Sequence, residues 1–287
     1  MGDRAAHPWL TLLEQATVTS FTLSGNLEHR NAYHPYNNAM SDPLNFPEYP
    51  RSSHYDLHWM MENSMGPNAV WLAEGLAQVM DLKSGMRTLD MGCGKALSSI
   101  FLAKEFGMHV WANDLWIDAT ENWKRVCEAG LEDRVFPLHA DAHALPYADA
   151  FFDAILSLDA YHYFGTDDLF LGSSFARLVK PGGQIGIIVP GLVKDFEDGL
   201  PSHLAPYWKD DFYSFHTPSW WRKHWEHSGA VIIDRVDLLP RGWEHWMRWA
   251  YALAEAGNPR EVGEGDMLCA DAGQYLGFVR VVAHRKP

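Results

Sequence analysis

The middle of the chain alternates short apolar runs with longer stretches in which apolar residues recur at helical spacing. Runs of strand length occupy residues 87–91, 108–112, 135–139, 151–158 and 184–189, and helical stretches between them occupy residues 96–106, 117–129 and 168–179. Strands that alternate with helices form a parallel sheet that is covered on both faces. The pattern therefore predicts an α/β fold.

The C-terminal third extends this pattern. Residues 231–239 and 276–283 are two more apolar runs of strand length, and residues 242–256 between them have helical spacing. The total is seven predicted strands. Residues 1–52 are rich in Asn, His, Pro and Tyr with weak periodicity, and we interpret them as an N-terminal cap or extension before a main domain at 53–287.

Charge and cysteine content narrow the choice of partners and compartment. The net charge is 23 − 37 = −14, and the longest basic run is the terminal His284-Arg285-Lys286. Polyanion binding requires Lys and Arg, so we expect no nucleic-acid substrate and no membrane surface as a partner. The chain contains no run of 18 apolar residues, so the sequence predicts no membrane-spanning helix. The first residues lack a secretion signal, and three widely spaced cysteines favour the reducing cytoplasm.

The first predicted strand ends in a glycine turn with the sequence Asp90-Met91-Gly92-Cys93-Gly94-Lys95-Ala96. Glycines between a strand and a helix let the backbone approach a ligand closely. A dinucleotide fingerprint needs a third glycine at position 97, which is Leu97, so NAD fits poorly. Asp114 ends the next strand, where a carboxylate can accept hydrogen bonds from ribose hydroxyls. Together these features indicate a cofactor that contains adenosine.

Four stretches of the chain resemble the class I S-adenosylmethionine-dependent methyltransferases, in particular the small-molecule enzymes related to the ubiquinone-biosynthesis and cyclopropane-synthase-like methyltransferases. The stretches are Leu89–Gly94, Val110–Asp114, the loop from Asp141 to Asp153, and Leu178–Gly183. The resemblance is strong over residues 55–190. One departure is Ala96, where the family often has glycine. The resemblance implies a seven-stranded, mostly parallel sheet with an antiparallel last strand and helices on both faces.

The same resemblance implies the roles of the cofactor-binding residues, with S-adenosyl-L-methionine as cofactor and S-adenosyl-L-homocysteine as its product. Gly92, Cys93 and Gly94 would lie behind the methionine portion, and Asp90 would help to place its amino group. Asp114 would hold the ribose. The remaining candidates are assigned to the adenine (Asp141 and Ala142), the flanks of the adenosine (Leu115 and Trp116), the border of the sulfonium (Leu158) and the cover over the cofactor (Asn63 and Met65).

Three residues are candidates for the chemistry of methyl transfer. His162 and Asp159 follow the fourth predicted strand, where the family often lines its acceptor pocket, and imidazole titrates near neutral pH. His216 could supply a second base or a hydrogen bond to the acceptor. Both histidines also have a structural alternative: His162 could orient its loop or cap a helix, and His216 could face solvent or cap a helix. No grouping of Cys, His and carboxylates indicates a metal site.

Tryptophans crowd the C-terminal third, and the resemblance places a Trp-rich lid insertion at about residues 191–228. Aromatic rings can surround a cation, so a cage for an amine acceptor is one interpretation. However, Trp221 and Trp225 are four residues apart, and Trp246 and Trp249 are three apart. Such spacing favours helix faces that pack on a sheet.

The resemblance and the residues together predict a methyltransferase that acts on a small-molecule acceptor, with a nitrogen or oxygen nucleophile favoured. Two alternatives stay open: an S-adenosylmethionine-binding cyclase or isomerase, and a non-catalytic regulatory protein that binds the cofactor. The acceptor, the role of residues 1–52 and the choice between monomer and homodimer are not fixed by the pattern.

Overall fold

A seven-stranded sheet organises the part of the chain that the computed structural model describes, which is residues 44–258 and 261–287. Its strand order is β3-β2-β1-β4-β5-β7-β6. The strands are β1 (Arg87–Met91), β2 (His109–Asp114), β3 (Val135–His139), β4 (Phe152–Leu158), β5 (Val179–Leu192), β6 (Val231–Leu238) and β7 (Leu276–Arg285). Strands β1 to β5 are parallel, and β7 runs antiparallel to β5 and β6. This confirms the predicted fold class, including its antiparallel last strand.

Helices cover the sheet on both sides. They are α1 (Leu57–Glu62), α2 (Ala69–Ala77), α3 (Leu97–Phe106), α4 (Ala119–Glu128), α5 (Pro218–His227), α6 (Gly242–Glu255) and α7 (Glu261–Asp271). Adjacent strand residues enter different hydrophobic clusters, because side chains alternate between the faces of a strand. Ile155 packs in one cluster and Leu156 in the other. Two cores therefore enclose the sheet.

The tryptophans of the C-terminal third belong to these cores. Trp221 and Trp225 are buried in the cluster that contains Ile155, and Trp246 and Trp249 are buried in the cluster that contains Leu156. The helical spacing of these residues predicted packing of this kind, and the burial confirms it for these four indoles.

The segment predicted as a helix at 168–179 is irregular. Residues Leu171–Phe175 form one wide π-type turn, Ala176–Leu178 a tight 3-10 turn, and β5 already begins at Val179. The segment contains Gly172, Ser173 and Ser174, and glycine and serine are weak helix formers. Helix α7 was not predicted from the pattern.

Residues just before α1 are tied to the main domain. Phe46 and Tyr49 are buried in the core, and the carboxylate of Glu74 in α2 accepts hydrogen bonds from the backbone of Arg51 and Ser52 at 3.0 and 2.7 Å. The N-terminal part of the predicted extension, residues 1–43, lies outside the described residues, so the proposed boundary at 52 stays a prediction. In the described residues, no helix is long and apolar enough to cross a membrane.

Candidate functional site

The glycine turn between β1 and α3 is held by backbone hydrogen bonds from the neighbouring strand. The N–H groups of Gly92 and Cys93 donate to the carbonyl of Asn113 at 2.8 and 3.0 Å. Gly92 has φ +73°, and a Cβ there would lie 2.3 Å from the Cβ of Ala160. Glycine is therefore the only residue that fits at position 92, since both the backbone angle and the space exclude a side chain.

Ala96 ends this turn with φ +62° and is fully buried. The left-handed conformation costs a residue with a Cβ roughly 1–2 kcal/mol, whereas glycine adopts it freely. This backbone angle gives a physical reason for the glycine that the family often has here. The alanine keeps the same turn geometry at an energetic cost.

Asp114 stands at the C-terminal end of β2, beside the turn. One carboxylate oxygen accepts from the N–H groups of Trp116 and Ile117 at 2.7 and 3.0 Å, and the other accepts from the N–H of Gly94 at 2.8 Å. A carboxylate has about four acceptor positions, so these three bonds leave capacity for a hydroxyl group. The geometry fixes the carboxylate at the mouth of the turn.

Asp90 lies fully buried at the end of β1, behind the turn. Its Oδ2 accepts hydrogen bonds from the hydroxyls of Ser98 and Ser99, each at 2.6 Å, whereas its Oδ1 has no partner among the described residues. Burial raises the pKa of Asp90 to about 6, against the lowering effect of the two serines. An unpartnered buried carboxylate oxygen is a favourable position for a cationic group.

The predicted adenosine-binding residues lie on loops after β2 and β3. Asp141 accepts a hydrogen bond from the N–H of His143 at 2.9 Å, and Ala142 opens a short 3-10 turn. Leu115 and Trp116 are more than half exposed. The indole of Trp116 contacts the ring of Tyr163, 5.9 Å away, so an aromatic pair spans from the end of β2 to the loop after β4.

The loop after β4 brings Leu158, Asp159 and His162 together. Leu158 is buried, and Asp159 has φ +52°, which is rare for a residue other than glycine. His162 is 2% exposed and its Nδ1 has no partner among the described residues. Burial lowers the pKa of His162 to about 3, which keeps the imidazole neutral.

The ring of His216 contacts residues other than Leu158, Asp159 and His162. Its imidazole stacks on the indole of Trp220 at 3.6 Å with an interplanar angle of 15°, whereas the neighbouring Phe215 is the residue that contacts the ring of His162. Burial lowers the pKa of His216 to about 4. Its predicted part in the chemistry stays a prediction.

Asn63 and Met65 lie between α1 and α2, over the glycine turn. The Asn63 side chain accepts from Nε of Arg125 at 2.9 Å. A Cβ built on Gly94 would lie 3.0 Å from the sulfur of Met65, so this methionine covers the turn. Asn122 in α4 also donates to the carbonyl of Gly94 at 2.9 Å.

Asn122 and Arg125 were not among the predicted site residues. The only signal in the sequence is their i, i+3 spacing, which places them on one side of α4. That spacing is common on solvated helices and does not identify a site. The described residues include no group of three His, Cys, Asp or Glu side chains that could hold a metal ion.

Comparison with known proteins agrees with this geometry. Residues 88–183 match the family described as "Methyltransferase domain". The chain is 33% identical over 149 residues to "Methyltransferase GfsG" of Streptomyces halstedii, covering 50% of this chain and 53% of that protein. It is 32% identical over 117 residues to "27-O-demethylrifamycin SV methyltransferase" of Amycolatopsis mediterranei, covering 40% and 43%. The matches thus span about half the length of these curated relatives.

Two solved structures share the fold. A phosphoethanolamine N-methyltransferase 2 from Haemonchus contortus, in complex with phosphomonomethylethanolamine and S-adenosylhomocysteine, has a TM-score of 0.65 and 21% identity, covering 86% of this chain and 60% of that one. The [4+2]-cyclase SpnF has a TM-score of 0.62 and 19% identity, covering 84% and 96%. Residues 88–183 thus match a methyltransferase domain, and the seven-stranded sheet that contains them shares its fold with these two structures.

Proposed function

We propose that this chain transfers a methyl group from S-adenosylmethionine to a small-molecule acceptor through a nitrogen or oxygen nucleophile. The observation that carries the proposal is Asp114, a carboxylate fixed beside the N–H of Gly94 at the mouth of a glycine turn. Two similar proteins are named for methylation at an oxygen position and at nitrogen: the rifamycin enzyme and a phosphoethanolamine N-methyltransferase of Triticum aestivum, 31% identical over 173 residues.

The residues at the turn fit this cofactor. The buried Oδ1 of Asp90 is free to face the amino group of the methionine portion. The free acceptor capacity of Asp114 suits the ribose hydroxyls. Asp141 and Ala142 with Leu115 and Trp116 would border the adenine ring, and Leu158 would border the sulfonium.

When bound, the cofactor supplies an electrophilic methyl group, which the acceptor lone pair attacks while the carbon–sulfur bond breaks and its electrons stay on sulfur. The chain's own task is to hold the acceptor in line and keep water away. Asp159 and His162 are the candidates to take the acceptor's proton. The neutral imidazole of His162 can accept a proton only where a bound acceptor offsets the effect of burial on its pKa.

We also propose that the protein works in the cytoplasm and has no nucleic-acid partner. The three cysteines, which all carry free thiols in the structure, support a location in the reducing cytoplasm. The net charge of −14 supports the lack of a nucleic-acid partner. A homodimer is compatible with these observations and needs a measurement of mass in solution.

The test is calorimetric titration with S-adenosylmethionine and S-adenosylhomocysteine on wild type and on Asp114→Asn. We expect micromolar binding by the wild type and at least a tenfold loss in the variant, since one of the two carboxylate oxygens becomes a donor. Asp118→Asn, an exposed carboxylate four residues further on, is the matched control and should bind as the wild type does. Unchanged binding by Asp114→Asn contradicts the proposal.

The three kinds of protein that share this fold are separated by product analysis. A methyltransferase forms one equivalent of S-adenosylhomocysteine for each methylated acceptor in a screen of amines, phenols and alcohols. A cyclase or isomerase converts its substrate without consuming the cofactor. A regulatory protein binds the cofactor and converts no substrate.

A further inference from the structure

A three-residue stretch, Ser64 to Gly66, lies across two parts of the candidate site. The sulfur of Met65 sits above Gly94, and a Cβ on Gly66 would lie 2.8 Å from Oδ2 of Asp159. The stretch therefore touches both the glycine turn and the loop after β4. We refer to residues 64–66 as the cover segment.

Trp249 of α6 is hydrogen-bonded to the cover segment. Its indole N–H is shared between Oγ of Ser64 at 3.2 Å and the carbonyl of Gly66 at 3.1 Å, and the Ser64 hydroxyl itself donates to the Gly66 carbonyl at 2.7 Å. The indole is 1% exposed, and it meets the ring of Trp71 edge-on at 5.2 Å. A donor on a rigid, buried side chain thus fixes both ends of the cover segment.

Trp246 provides an internal comparison, because it lies one turn earlier on the same helix. It is also buried, and its ring packs 5.0 Å from Phe278. Its indole N–H has no partner among the described residues. The two indoles thus share helix and burial, and they differ in whether the N–H is bonded to the cover segment.

A cavity of about 540 Å³ is lined in part by the three residues of the cover segment. Met61, Met65, Gly66, Leu253 and Asn258 are among the residues that line it. A volume of this size is in the range of small-molecule sites. Met65 therefore borders both the cavity and the glycine turn, and Gly66 borders both the cavity and the loop after β4.

We propose that Trp249 is a positioning residue whose indole N–H holds the cover segment closed over the bound cofactor. The inference rests on the proposed function, because the cofactor is what the segment would enclose. Loss of the N–H would leave the contacts of Asp90, Asp114 and the glycines in place. It would raise the rate at which the segment opens, and therefore the rate at which the cofactor leaves.

The test compares Trp249→Phe with Trp246→Phe, which both exchange a buried indole on α6 for a phenyl ring. Surface plasmon resonance with S-adenosylhomocysteine as the probe gives the dissociation rate. We expect Trp249→Phe to release the probe about 5- to 30-fold faster than Trp246→Phe, the size that one or two lost hydrogen bonds imply. Ser64→Ala, which removes one of the two acceptors, should give a smaller increase of about 2- to 5-fold and serves if Trp249→Phe does not fold.

Hydrogen exchange without any ligand provides the second readout. Amides at residues 64–66 and 68 should exchange faster in Trp249→Phe than in Trp246→Phe, while those of β1 and β4 stay alike. Equal dissociation rates and equal exchange in the two variants overturn the inference and leave the proposed function intact. If the wild type binds no S-adenosylhomocysteine, the proposed function fails, and the role of Trp249 in enclosing a cofactor fails with it.

Discussion

Asp90, near the end of β1, and His162, in the loop after β4, are buried titratable side chains of the candidate site. Burial disfavours the charged form of each, which raises the pKa of the carboxyl group to about 6 and lowers the pKa of the imidazole to about 3. Asp90 in the folded protein is therefore mostly protonated only below about pH 6, whereas His162 stays neutral down to about pH 3. As the pH falls, protonation of Asp90 stabilises the folded state, whereas the tendency of His162 to become protonated destabilises it.

Asp90→Asn removes the titration of the carboxyl group. In the wild type, the stability that Asp90 contributes is fully present below its unfolded pKa and is lost as the pH rises to about 6, by up to roughly 3 kcal/mol. We expect the variant to lose less stability than the wild type between pH 4 and pH 6. Urea unfolding at several pH values measures this. Cofactor affinity should fall in the same variant, and parallel stability curves would contradict the assignment of the pKa.

The variant His162→Phe tests whether His162 acts as a general base or only packs within its loop. The contribution of the wild-type imidazole is fully present above pH 6.5 and is lost as the pH falls towards 3, by roughly 2 kcal/mol at pH 5. The variant should therefore be less sensitive than the wild type to a shift from pH 7.5 to pH 5. If His162 is the base, methyl transfer to an acceptor found in the screen should fall about 10²- to 10⁴-fold. An active, stable variant would leave only the packing role.

The local sequence indicated the residues of the glycine turn, but it did not indicate which distant side chains hold the segment that covers this turn. The positions of Gly92, Gly94 and Asp114 relative to two strands were enough to place them at one edge of the sheet, because parallel strands end together there. The bond from Trp249 to Gly66 spans 183 residues. No periodicity within α6 distinguishes that indole from the one at Trp246, so only the folded chain reveals the difference.

Among the elements, α5 shows how one side chain defines the start of a helix in the C-terminal region. Thr217 is buried, its Oγ1 accepts from the N–H of Trp220 at 3.3 Å, and Pro218 follows as the first helical residue. Threonine followed by proline is a favourable start for a helix, because the threonine hydroxyl can cap the first turn and proline suits the first helical position. The helix places Trp221 and Trp225 against the sheet.

Thr217→Ala should cost about 1 kcal/mol of unfolding free energy, since it leaves a backbone N–H of α5 without its acceptor. Ser219→Ala is the control, because the exposed Ser219 hydroxyl bonds only to Thr217 and not to the helix backbone. Urea denaturation followed by circular dichroism measures both. A Ser219→Ala loss as large as that of Thr217→Ala would show that the hydroxyl pair, rather than the cap, stabilises this end.

The helix that the pattern missed, α7, is weakly amphipathic in sequence. It contains Gly263 and Gly265, which lower helix propensity. Tertiary packing stabilises such helices: α7 lies against α6, where Tyr251 donates a hydrogen bond to Asp266 at 3.0 Å. Packing of this kind is invisible to a local window of sequence.

At the scale of the whole molecule, the buried carboxylate of Glu74 helps to fasten the described chain before α1 to the main domain, together with the buried rings of Phe46 and Tyr49. Oε2 of Glu74 accepts from both the N–H and the hydroxyl of Ser52, at 2.7 and 2.5 Å, and Oε1 accepts from the N–H of Arg51. At the antiparallel end of the sheet, Arg280 of β7 donates hydrogen bonds to the carboxylate of Asp237 in β6 and to the carbonyl of Gly75 in α2. Helix α2 thus contacts Arg51 and Ser52 through Glu74, and it contacts β7 through Gly75.

Glu74→Gln should destabilise the protein by about 2–3 kcal/mol, because an amide N–H₂ would face donors that now meet a carboxylate oxygen. Glu105→Gln, on α3, is the matched control, since its carboxylate contacts Tyr55 and Arg51 in a more exposed position. We expect a smaller loss there. Thermal unfolding and limited proteolysis near residue 52 measure the two effects, and equal losses would show that Glu74 has no special anchoring role.

The buried thiol of Cys93, between the two glycines of the turn, has a chemical consequence. Burial raises its pKa, and the thiolate is the form that reacts with oxidants and electrophiles. Cys127, on the exposed surface of α4, is open to such reagents instead. Alkylating agents and peroxide would therefore modify the outside of the protein first, and the turn that approaches the cofactor would survive oxidative stress chemically intact.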